Sequence, residues 1–189
     1  AVGSDALEST GDSEAAADWR SDWPVFLVDW FGARAYARWY RQQTGRPWRL
    51  PSEFEWEKAA RGVDGREYPW GEHFDPNWCC MSDSASGTPQ PAPVDEFEAD
   101  ESPYGVRGMG GNVFEWCLDA FTETGRVEGD RARVDDSVEA DRDAHRVLRG
   151  GAWLSEAYGC ATHHRDGLPA RSRLTTLGFR LVAPFPFEA

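Results

Sequence analysis

The order of apolar and polar positions predicts two helices early in the chain and little helix after them. From Trp30 to Gln43, the residues Ala35, Tyr36, Trp39, Tyr40 and Gln43 recur at helical spacing. Asp29 stands at the N-cap position and Gly45 supplies a C-terminal stop. The run Val25-Phe26-Leu27-Val28 before this helix reads as a short β-type segment. A second helix is expected over Glu53–Arg61, with Trp56, Ala59 and Ala60 turned inward and Gly62 ending it. Ser52 and Glu55 have capping-box spacing: the hydroxyl accepts from the amide three residues on, and the carboxylate reaches back to the cap amide. Beyond Asp64 the pattern is turns and short runs, including Val94–Phe97, with clear strands expected at Arg146–Trp153 and Phe179–Val182. Two helices followed by turns and strands indicate an α+β fold.

Composition sharpens this reading. The chain has 189 residues with 19 Gly, 12 Pro and 10 Trp, which implies a loop-rich fold around a rigid, hydrogen-bonded aromatic core. Trp39, Trp56, Trp70, Trp116, Trp153 and Phe179 are expected inside, with Gly150 and Gly151 allowing close backbone approach. Residues 1–22 hold six acids and one Arg, and read as a flexible acidic tail or linker. The folded unit is expected over 23–189, interrupted by an exposed, charged insertion at about 122–145. A formal charge of −13 argues against nucleic acid or an anionic membrane as partner. No apolar run approaches the ~18–20 residues of a membrane span. Four cysteines are too few for a disulfide scaffold, and they leave the compartment open, the cytoplasm being slightly favoured.

Four ordered segments carry a family resemblance. They are Arg49-Leu-Pro-Ser-Glu-Phe-Glu-Trp-Glu-Lys-Ala-Ala-Arg-Gly62, Tyr68-Pro-Trp-Gly71, Gly111-Asn-Val-Phe-Glu-Trp116, and Arg149-Gly-Gly-Ala-Trp153 followed by Gly178-Phe-Arg180. Over about 24–183 the chain resembles the formylglycine-generating enzyme (sulfatase-modifying factor) family. The resemblance implies a C-type-lectin-like α+β fold of two helices plus short twisted antiparallel strands. It also implies the C-terminal three-quarters of such a domain, with an N-terminal segment missing or a further domain fused.

Active members of that family hold Cu(I) with a thiol pair and oxidise a substrate cysteine to formylglycine. Here Ser155 stands where the first thiol would be, and Cys160 matches either the second thiol or a structural cysteine. A hydroxyl is a poor ligand for Cu(I), so the expectation is a domain without oxidase activity or copper. The alternative is a copper-dependent, sulfatase-maturing oxidase in which Cys160 and a thiol from elsewhere do the work. Packing is the expected role of Cys79, Cys117 and Cys160; a disulfide from Cys79 or Cys80 to Cys117 or Cys160 is the other option, and Cys80 is the candidate for an exposed thiol.

The resemblance further implies calcium, held by Gly111, Val113 and Glu115, with Gly108 standing where members carry a side-chain ligand. A second, weaker calcium set would use Asn77 and Trp78 with Asp83. Asn112 is expected to bond its own backbone in a turn. Residues 145–189 carry six Arg against three acids in a chain that is otherwise acidic. Tyr158, His163, His164, Arg165, Arg171 and Arg173 therefore form a candidate ligand-binding surface for a carboxylate or phosphate. The competing reading pairs these arginines with the acidic insertion. A ligand- or protein-binding module is the function expected, as in relatives fused to bacterial Ser/Thr kinases or serving as retroelement variable proteins.

Overall fold

The computed structural model describes residues 20–84, 88–123 and 142–184. Most of the acidic tail and most of the charged insertion lie outside the described residues. Of the tail, Asp22 is tied down, its carbonyl accepting from the Val94 amide at 2.9 Å.

Helix α1 spans Trp30–Thr44, and helix α2 spans Glu53–Arg61. The Asp29 carboxylate caps α1 by accepting from the Gly32 amide, and Gly45 closes it with a left-handed φ of 70°. The capping box forms as its spacing predicts. Glu55 Oε2 accepts from the Ser52 amide at 2.9 Å while Ser52 Oγ accepts from the Glu55 amide at 3.3 Å. Arg49 then grips the same carboxylate, and that hydrogen bond holds Glu55 down at a pKa of about 2.

Four strands form one sheet: β1 Phe114–Ala120, β2 His145–Arg149, β3 Asp166–Pro169 and β4 Leu177–Gly178. Their order is β3-β2-β1-β4. The β1–β2 and β2–β3 pairs are antiparallel, but β4 lies parallel to β1, so the sheet is mixed and not wholly antiparallel. The strand expected at Arg146–Trp153 stops at Arg149, because Gly150 and Gly151 take φ of 96° and 73° and turn the chain out of the ladder. In the Phe179–Val182 segment only Val182 pairs, bridging to Arg49. Val25–Val28 makes no strand, since Leu27 has a φ of 59°, and Val94–Phe97 is a turn.

The core is aromatic and hydrogen-bonded. Trp116 donates its indole N–H to the Val28 carbonyl, and Trp30 donates to the Cys117 carbonyl, both at 2.9 Å. These bonds pin α1 and its leading loop to β1 and give both of these indoles a partner. Trp56 and Trp116 are fully buried as expected, whereas Trp70, Trp153 and Phe179 are only partly so. Trp39 corrects the reading of α1: it is 50% exposed. The helix carries two apolar stripes, and the sheet takes the one formed by Trp30, Ala33 and Ala37, with Arg34 buried over the Trp30 ring. Tyr36, Trp39 and Tyr40 stack on each other on the other side, beside Phe179.

Candidate functional site

The site rests on a buried ion-pair frame. Glu115 of β1 accepts from the Trp56 indole N–H at 2.7 Å and from Arg180, whose Nη2 donates to Oε1 at 2.7 Å and whose Nε donates to Oε2. Arg180 Nη2 also donates to the Gly108 carbonyl at 2.6 Å. Burial works against the Arg180 charge, but Glu115 and Asp100 outweigh it and hold the guanidinium above its ordinary range.

Arg149, at the end of β2, is fully buried beneath the candidate surface. It donates to the carbonyls of Thr162 (2.7 Å), His163 (3.1 Å) and His164 (2.7 Å), and to Glu57 at 2.8 Å. Three consecutive carbonyls on one guanidinium fix the backbone that presents the two histidines. Burial lowers the Arg149 pKa, opposed by Glu53 and Glu57. Composition and spacing do not reveal this post; its one sequence signal is an arginine opening the Arg-Gly-Gly segment at a strand end.

Tyr158, His163 and His164 are brought together. Tyr158, 65% exposed on the short 3-10 turn Ala157–Cys160, makes edge contacts to His163 at 5.7 Å and His164 at 5.1 Å. His163 Nδ1 lies 3.5 Å from Glu67. His164 Nδ1 is buried without a hydrogen-bond partner, and burial lowers the His164 pKa. The three arginines do not join this group as free cations. Arg165 is bidentate on Glu53, Arg173 holds Asp29, and Arg171 pairs with Asp143 within the insertion. Among the described residues, no cluster of three or more His, Cys, Asp or Glu side chains suits a metal ion.

Of the positions implied for calcium, Glu115 and Gly111 are engaged otherwise. Both Glu115 oxygens are taken by Arg180 and Trp56, and the Gly111 carbonyl accepts from the Val113 amide at 2.9 Å. A cation using the Glu115 side chain would have to displace Arg180, so these residues do not fit the ion well. At the second set, the Asn77 amide and side-chain nitrogens both donate to Asp75 at 2.9 Å, while Trp78 packs edge-on against Trp70 and His73. Asn112 does more than shape a turn. Its side chain exchanges two bonds with the Ala92 backbone, and its own amide donates to Cys80 O at 2.8 Å.

Ser155 Oγ accepts from the Ala152 amide at 2.9 Å, and the Ser155 carbonyl accepts from the Ser82 amide at 3.0 Å. Cys160 is fully buried and clusters with Cys79 and Met81. No cysteine is disulfide-bonded, and all four are buried, Cys80 included at 6% exposure. Cys80 is therefore not an exposed thiol; burial pushes it up to about 12.

A two-helix, mixed-sheet, loop-rich α+β domain with an Arg-Gly-Gly turn and a Glu–Arg–Trp frame defines the class. The model described as Sulfatase-modifying factor enzyme 1-like domain matches residues 3–184, beyond the 24–183 that the motifs cover, and the chain belongs to that family. Among curated relatives, it is 36% identical over 179 residues to the Formylglycine-generating enzyme of Streptomyces coelicolor, covering 85% of this chain and 52% of that protein. It is also 36% identical to Inactive C-alpha-formylglycine-generating enzyme 2 of Bos taurus, over 86% of this chain and 50% of that one. Serine/threonine-protein kinase Pkn1 of Chlamydia trachomatis matches at 36% over 83% of this chain and 24% of the kinase. The chain thus spans about half the length of the first two relatives. The solved structures of PvdO from Pseudomonas aeruginosa (TM-score 0.72, 23% identity, 87% of this chain and 63% of that one) and of Treponema denticola variable protein 1 (TM-score 0.70, 20% identity, 93% and 77%) share its fold. No helix among the described residues is long and apolar enough to cross a membrane.

Proposed function

We propose that this is a non-catalytic member of its family, a module that binds a protein or small-molecule ligand on the surface built from Tyr158, His163 and His164. The observation that carries the reading is position 155. Its hydroxyl is committed to the Ala152 amide, and oxygen there cannot replace a soft thiolate toward Cu(I). The thiol that does neighbour Cys160 is Cys79, and both are fully buried. Metal held between them would be sealed from a substrate cysteine, so the arrangement does not fit the family's copper chemistry on an incoming thiol. The inactive mammalian relatives and the kinase-fused relatives support a non-catalytic role. Calcium has no part in this reading, because Arg180 already occupies the Glu115 carboxylate.

The Tyr158 surface suits recognition. Its backbone is clamped by Arg149, its aromatic edge faces solvent, and Glu67 beside His163 adds a polar rim. The oxidase reading has one observation in its favour, the contact of Cys160 with a second thiol, and a single assay separates the two. Reduced protein is loaded with Cu(I) and incubated in air with a cysteine-containing sulfatase peptide, followed by mass spectrometry. The expected result is unmodified peptide. Conversion of the cysteine to the aldehyde, abolished in Cys160→Ser, would overturn the proposal.

A further inference from the structure

We propose that Cys79 and Cys160 form a reversible disulfide, a redox latch joining the 76–84 loop to the Ala157–Cys160 turn. The two residues lie far apart in sequence, yet both side chains meet inside one buried cluster with Met81. The other cysteines face elsewhere. Cys80 points its thiol at the Gln90 carbonyl at 3.5 Å, and Cys117 sits in a separate cluster with Trp56 and Val147.

Both backbones are braced so that the thiols meet. Ser84 Oγ donates to the Cys79 carbonyl and accepts from the Met81 amide, and the Ser82 amide donates to the Ser155 carbonyl at 3.0 Å, stitching the two segments beside the pair. Gly151 leaves room for the Cys160 sulfur, since a Cβ there would come within 3.1 Å of it and 2.7 Å of the Gly159 carbonyl oxygen. Two braced backbones that bring both cysteines into one buried cluster favour the close approach a disulfide needs.

The chemistry is thiol–disulfide exchange with a small-molecule disulfide such as oxidised glutathione. One cysteine thiolate attacks a glutathione sulfur, the glutathione S–S bond breaks, and one glutathione thiolate leaves. The second cysteine gives its proton to solvent, attacks the protein-bound sulfur and expels the second glutathione thiolate. The protein thiols lose two electrons and two protons, and the oxidant is reduced to two thiols. The neighbouring Cys160 thiol, together with burial, pushes the Cys79 thiol up, so attack waits on local opening and closure is slow. Once formed, the bond ties down the turn that carries Tyr158.

The test uses the full chain equilibrated in oxidised and reduced glutathione, then alkylated and peptide-mapped without reduction. The expected oxidised form has lost two hydrogens, carries a Cys79–Cys160 link with Cys80 and Cys117 still alkylatable, and melts at a higher temperature. Dithiothreitol reverses all three changes. Cys79→Ala and Cys160→Ala each lose the link, while Cys80→Ala keeps it; should either of the first two fail to fold, the wild-type map decides alone. Four alkylatable thiols after equilibration, a link involving Cys80 or Cys117, or a stoichiometric metal that holds both sulfurs would overturn the proposal.

Discussion

Two regions of the domain, both built from its most recognisable segments, behave in opposite ways. At the junction of α2, β1 and the Gly-Phe-Arg segment, each oxygen of Glu115 meets a buried donor, from Trp56 or Arg180. At the 152–164 turn the backbone is held but two side chains are displayed: Tyr158 faces solvent and His164 Nδ1 has no partner. The first region is a closed network whose members cannot change singly, because a lost partner strands a buried charge. The second is a displayed surface in which a change of residue alters chemistry and leaves the frame standing. Arg149 joins them, bracing the turn from below through three carbonyls. The residues that announce this family therefore mostly hold shape, and they hold it through contacts that do not involve Ser155.

The contrast breaks most sharply at Arg180. Arg180→Ala leaves the Glu115 carboxylate buried and unpaired and frees the Gly108 carbonyl, which should cost about 3–5 kcal/mol. Urea unfolding measures this, and a cost below about 1 kcal/mol would place the junction in the same class as the surface. A smaller effect comes from Asp100, which accepts from the Met109 and Gly110 amides. Burial, against the pull of those amides and Arg180, raises its pKa to about 6. A carboxyl raised in the folded state favours folding while both states are protonated, and that favour is lost as pH rises through about 4 to 6. Between pH 5 and pH 7 this group should lower stability by about 1 kcal/mol. Glu55, held near 2, acts in the opposite sense but only below the ordinary carboxylate range, so it does not mask the slope. His164, its pKa lowered by burial, acts in the opposite sense to Asp100 within this window, so the check is a difference. As pH rises from 5 to 7, the wild-type denaturation midpoint should fall relative to that of Asp100→Asn.

The legible parts were those decided locally. The capping box, the Gly45 stop and the α2 boundaries follow from contacts within a few residues, and they stand where the spacing puts them. Trp39 was misplaced because α1 offers two apolar stripes, and only the position of the sheet selects between them. The parallel β4 and the early stop at Gly150 depend on long-range register that short runs do not encode. At the site, Tyr158 and the histidines are sequence neighbours, and their rings lie in contact. The arginines looked cationic by count, yet Glu53, Asp29 and Asp143 neutralise them from distant segments. The facing of Cys79 and Cys160 belongs to the same class: sequence allowed four pairings, and only the packed loops choose one.

The smallest expected effect sharpens the comparison from the other side. Tyr158→Ala removes a ring that is 65% exposed and whose packing consists of edge contacts to His163 and His164. An exposed ring loses little burial on truncation, and each edge contact is worth about 0.5 kcal/mol at such a site. The turn keeps its backbone, because Arg149 grips carbonyls and not this side chain. Stability measured by urea unfolding should therefore fall by no more than about 1 kcal/mol, with the slope of the transition unchanged. A loss above about 2 kcal/mol, or a changed slope, would make Tyr158 part of the frame, and the division between a fixed junction and a displayed surface would fail at the residue chosen to represent the surface.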